Sequence, residues 1–120
     1  MSAASERRNW LRLDKVFPVL VESPQLGYMN CIARNISCGG LFLETPAPLP
    51  LGSPLRIYFA LPDTQVGISA AGQVKNHYFL NYGSAVGPLA VTGMGVRFTE
   101  FDDDGELRLT HTIRRTHVLQ

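Results

Sequence analysis

Apolar and β-branched residues fall in short runs along this chain, separated by glycine, proline and asparagine. Runs of this length between turn signals predict strands rather than helices. Six are read: Lys15–Val21, Tyr28–Arg34, Leu41–Leu43, Leu55–Leu61, Val66–Val74 and Gly95–Phe98. The second alternates less cleanly than the first but is bounded by Gly27 and Asn35. Pro46, Pro48, Pro50 and Gly52 exclude a helix ahead of the fourth. Residues 77–92 are apolar and contain glycine, and read as a partly packed loop joining two strands.

One segment reads as a helix. From Asp102 to Arg115, Leu107, Leu109 and Ile113 build a partly apolar face. Asp102, Asp103 and Asp104 supply candidate N-caps and suit the positive end of a helix dipole. Short strands at regular turn spacing suggest an antiparallel barrel or sandwich. Together with the helix they predict a small β-barrel closed by one C-terminal helix.

Length and composition narrow the picture. A chain of 120 residues suits one domain, and 45% hydrophobic content suits a folded globule. No apolar run approaches the roughly 18 residues that span a bilayer, so no membrane partner is expected. Met1–Arg8 has no apolar h-region, so no secretory signal is read. Cys31 and Cys38 are too few for a disulfide framework, and His77, His111 and His117 are too scattered for a zinc site. Two packed, reduced thiols fit a cytoplasmic protein. No Ser/His/Asp, Cys/His or paired-carboxylate arrangement is apparent, so neither an enzyme nor a metal site is expected.

Charge changes the picture more. The net charge of +1, from 11 basic and 10 acidic residues, gives no reason to expect a polymeric nucleic acid. That total averages unlike segments. Arg7, Arg8 and Arg12 face a single Glu6 at the start, whereas residues 100–106 hold five acids. An arginine concentration inside a near-neutral chain points to a small anion met locally.

Two motifs carry the candidate chemistry. One is Arg8-x-x-x-Arg12, preceded directly by Arg7; the other is Asn35-x-Ser37-x-x-Gly40, which ends a predicted strand. Taken singly, the first is a solvated pair of charges and the second a tight turn. In this order they resemble the bipartite signature of PilZ domains. The resemblance covers nearly the whole chain. It takes in the Lys15–Val21 strand, the proline-rich Leu49–Leu55 connection, the late Gly93–Phe98 strand and the C-terminal helix.

The resemblance implies a six-stranded antiparallel β-barrel that binds cyclic di-GMP, the bacterial second messenger, on its outer surface. It implies one PilZ domain over residues 1–120: a flexible ligand-binding arginine arm at 1–13, a barrel at 14–100 and a helix at 101–117. The ligand set it implies is Arg7, Arg8, Arg12, Asn35, Ser37, Gly39 and Gly40. Guanidinium groups pair bidentately with phosphate oxygens and with guanine O6/N7, and also stack on purines. Asn35 offers a carbonyl to a guanine N–H edge, Ser37 offers a hydroxyl, and Gly39 and Gly40 permit close approach and positive φ. Arg7 resembles members that hold a ligand dimer. Trp10 is read as packing the arm onto the barrel, with stacking on guanine as its rival role. Arg97 is read as an outward strand residue. The expected output is relay of the ligand level to a downstream effector protein through ordering of the arm. The alternative is a PilZ interaction module that needs no ligand.

Overall fold

The computed structural model describes residues 11–61, 64–82, 85, 87 and 89–118. Seven strands and one helix follow in order: β1 Arg12–Leu13, β2 Phe17–Ser23, β3 Gly27–Ser37, β4 Gly40–Glu44, β5 Pro54–Ala60, β6 Gly67–Tyr82, β7 Leu89–Phe101 and α1 Gly105–Val118. The sheet order is β1-β3-β2-β5-β6-β7-β4, and β4 also pairs with β3. That last pairing closes β2 to β7 into the expected six-stranded antiparallel barrel. The two-residue β1 lies along β3 beyond the end of β2, with Arg12 opposite Ser37 and Leu13 opposite Ile36.

Alternation explains why these residues form these strands. Phe17, Val19 and Val21 of β2 point inward while Pro18 and Leu20 point outward. Leu55, Ile57 and Phe59 of β5 and Leu41 and Leu43 of β4 do the same. Inside, Val21, Ile36, Leu43, Ile57 and Met94 are almost completely removed from water. Helix α1 seals one end of this core with Leu109 and Ile113, while Leu107 points to solvent. Each such side chain contributes about 1.5–3 kcal/mol by burial.

Three expectations are corrected. Residues 77–92 are not a loop: β6 runs on to Tyr82 and β7 starts at Leu89, so both form a long hairpin. A bulge at Lys75, between Val74 and Asn76, shifts the phase of β6, so no single period of two survives across it; at Ala71/Gly72 the extra residue is Thr99 on β7. Arg12 and Leu13, expected in the flexible arm, already belong to the sheet, because the Leu13 side chain is buried in the core. The helix starts at Gly105, and Asp102 is not its cap. The Asp102 carboxylate accepts from the Ser69 hydroxyl (2.6 Å) and pairs with Arg56.

Candidate functional site

The β3–β4 turn is fixed from three sides. The Gly39 N–H donates to Ser37 Oγ (3.2 Å), and the Ser37 hydroxyl donates to the Gly40 carbonyl (3.5 Å). The Phe98 N–H donates to the Gly39 carbonyl (3.0 Å). Cys38 Sγ hydrogen-bonds Thr110 Oγ1 on α1 (3.0 Å). A bulge on β3 between Ala33 and Asn35 sends Arg34 out to Glu44 (2.7 Å) and leaves Asn35 half-buried beside the turn.

This turn borders an open groove of about 830 Å³ on the outer face of the barrel. Arg12, Asn35, Ser37, Gly39 and Gly40 all line it. Arg7, Arg8 and Trp10 lie outside the described residues. The rest of the lining comes from neighbouring strands: Leu41 and Phe42 on β4, Lys75, Asn76 and Tyr78 on β6, and Gly95, Val96 and Arg97 on β7. Among the described lining residues three are cationic and none is acidic. Arg97 is indeed an outward strand residue, and its outward side faces this groove.

Of the two properties expected of the turn glycines, close approach is present at Gly40 and positive φ is absent at both. Neither Gly39 nor Gly40 has a positive φ; among the described residues those glycines are Gly27, Gly52 and Gly87. Gly40 is instead a contact point, because a Cβ there would overlap the Val96 carbonyl oxygen. The missing side chain lets β4 lie against β7.

The cations are held loosely. Arg12 Nε is 3.2 Å from Asp14 Oδ1 with both side chains largely exposed. Such a pair contributes about 0–1 kcal/mol, so it yields readily to a better anion. Arg97 Nη2 donates to Gln73 at 3.5 Å, a long contact. Phe42 and Tyr78 meet edge to face with centroids 5.0 Å apart and form an aromatic wall.

Lys75, Asn76 and Tyr78 escape the sequence reading because it ends that strand at Val74, and Phe42, inside the predicted Leu41–Leu43 strand, belongs to neither motif. The signal available was the pair of consecutive polar residues Lys75-Asn76 inside an otherwise strand-like run, which marks a bulge.

A family model described as PilZ domain matches residues 6–115. The chain belongs to the PilZ domain family. No curated protein matches it in sequence. Among solved structures, it is similar to the PilZ domain of YcgR from Escherichia coli with c-di-GMP. That likeness has TM-score 0.75 and 12% identity, and covers 94% of this chain and 93% of that one. It is also similar to the Bacillus subtilis inhibitor of motility MotI/DgrA, with TM-score 0.74, 19% identity and coverage of 95% and 53%. The MrkH–c-di-GMP complex of K. pneumonia gives 0.69, 18%, 94% and 53%. The chain spans about half the length of the MotI and MrkH chains.

Among the described residues, no group of three or more His, Cys, Asp or Glu is placed to hold a metal, and no helix is long and apolar enough to cross a membrane.

Proposed function

We propose that this chain is a non-enzymatic receptor for cyclic di-GMP that binds the ligand in the groove beside the β3–β4 turn. One observation carries the reading: all five described residues of the implied ligand set line a single groove that also holds Lys75 and Arg97 and no described acid. An anion with two phosphates and two guanines meets there the donors that suit it. Arg12 pairs a phosphate or a guanine O6/N7 face, and Asn35 accepts from a guanine N–H edge. Ser37 retains acceptor capacity beyond its bonds within the turn.

Arg7 and Arg8 join this set by tether length. β1 runs antiparallel to β3, so the chain preceding Arg12 departs at the Ser37 end, where the groove lies. Arg8 is four residues from Arg12 and Arg7 five, a reach of at most roughly 14 and 18 Å. Three guanidinium groups near one another repel until an anion bridges them. Ligand therefore draws residues 1–11 toward the turn and changes the surface that a downstream effector protein meets. The free thiols of Cys31 and Cys38 suit work in a reducing cytoplasm.

Isothermal calorimetry tests this reading. Saturable binding of cyclic di-GMP at low-micromolar concentration or tighter is expected. Absence of heat and of saturation at tens of micromolar leaves the ligand-independent interaction module as the better account.

A further inference from the structure

One row of the sheet crosses four strands as Asn35 on β3, Phe42 on β4, Gly95 on β7 and Asn76 on β6. Both asparagines stand directly after a bulge. Arg34 is the extra residue between the Ala33–Leu43 and Asn35–Phe42 pairs. Lys75 is the extra residue between the Val74–Val96 and Asn76–Gly95 pairs. Ala33 and Val74 are buried in the barrel, so strict alternation would send Asn35 and Asn76 inward too. The extra residue reverses the phase in each strand and brings both amides out to the groove. Each bulge gives up regular pairing, and the two deliver the same side chain to the two ends of one row.

Gly95 makes room between them. A Cβ there would stand 3.2 Å from Asn76 Oδ1 and 3.1 Å from Tyr78 Cε2, so the Asn76 amide lies over the groove floor. Asn35 and Asn76 are three strand spacings apart, roughly 14 Å along the sheet, which lets each amide serve a different base. Among the described residues neither amide takes part in a side-chain hydrogen bond.

We propose that Lys75 and Asn76 form a second guanine-reading site, the counterpart of Asn35, so that the groove reads both bases of its ligand. This rests on the reading of the groove as a cyclic di-GMP site. An asparagine amide alone pairs with guanine or adenine according to which way it is turned. Lys75 removes that freedom. Its ammonium group only donates, so it favours guanine O6 and N7 and repels the adenine amino group. The Asn76 carbonyl is then left to accept from guanine N1–H or N2–H. The arrangement rewards a ligand with two guanines over one with a guanine and an adenine.

The test compares cyclic di-GMP with the mixed cyclic GMP–AMP dinucleotide by calorimetry, in the wild-type chain and in Asn76→Ala. Wild type should prefer cyclic di-GMP by roughly tenfold or more, the size of one base-reading contact. Asn76→Ala should weaken cyclic di-GMP by a similar factor, leave the mixed ligand nearly unchanged and bring the two within about threefold. A preference that survives Asn76→Ala, or a wild type with no preference, overturns the proposal while the receptor reading stands. A wild type that binds neither dinucleotide overturns both.

Discussion

Gly40 lies so close to Val96 that any Cβ would overlap the Val96 carbonyl oxygen. The obstacle is backbone rather than a flexible side chain; β4 and β7 are paired from Gly40 onward, and the Phe98 N–H holds the Gly39 carbonyl just before it. Gly40→Ala must therefore push the strands apart where the groove floor begins. The expected cost is about 1–3 kcal/mol, as for other overpacked sites, read as a lower urea midpoint. Cyclic di-GMP affinity should fall with it. An unchanged midpoint would mean that the strands separate freely.

Arg12 is predicted to be specific as an arginine. Losing a charge-assisted contact should weaken cyclic di-GMP binding by about 1.5–3 kcal/mol in Arg12→Ala. Arg12→Lys keeps the charge but not the planar fork, so it should recover only part of that loss. Titration calorimetry at two salt concentrations checks both claims. Full recovery by lysine would reduce the role of Arg12 to a point charge.

How far the sequence could be read depended on strand phase. β2, β4 and β5 alternate strictly, and their apolar runs mark them directly as strands. β3 and β6 carry bulges, and there the reading weakened or stopped. The same bulges present Asn35 and Asn76 to the groove. Asn35 was found through its motif, whereas Asn76 lies in no local motif and joins the site through register with Gly95. Gly40 comes from its motif and does make a close approach, without the positive φ expected of it; that the approach is to β7 leaves no local mark, because the two strands are distant in sequence.

Ser37 has a dual role that two measurements separate. Its hydroxyl accepts from the Gly39 N–H and donates to the Gly40 carbonyl. Ser37→Ala should lower unfolding stability by about 0.5–1.5 kcal/mol, the net worth of an ordinary hydrogen bond. The same variant should also weaken cyclic di-GMP under conditions where it is fully folded. Loss of stability with unchanged affinity would confine Ser37 to the turn.

Burial pushes the Cys31 thiol above the usual range, and a hydrogen bond with Thr45 opposes this only in part. The folded state therefore keeps its proton at pH values where the unfolded chain has released it. The resulting stability is fully present below the ordinary thiol pKa of roughly 8.5 and is lost as pH rises beyond it. Urea midpoints should fall above that point in wild type and fall less in Cys31→Ala. Iodoacetamide at neutral pH should spare Cys31 until the chain unfolds. A flat midpoint in alkali would contradict the buried thiol.

Leu109 and Ile113 give the helix a structural task separable from ligand recognition. Both are almost fully buried, at 0% and 1% exposure, where α1 covers the end of the barrel. Cutting Leu109 to alanine leaves a cavity that β-strands cannot collapse to fill. The expected loss is about 2–5 kcal/mol of unfolding free energy. The groove lies on the outer face of β3, β4, β6 and β7, and α1 reaches its border through Thr110 with Cys38 (3.0 Å) and through His117 Nε2 with the Arg12 carbonyl (2.7 Å), neither of which involves Leu109. Leu109→Ala should accordingly bind cyclic di-GMP within about threefold of wild type at low urea, a difference below about 0.7 kcal/mol. A much larger loss of affinity in a folded Leu109→Ala would show that the helix positions the turn as well as sealing the core.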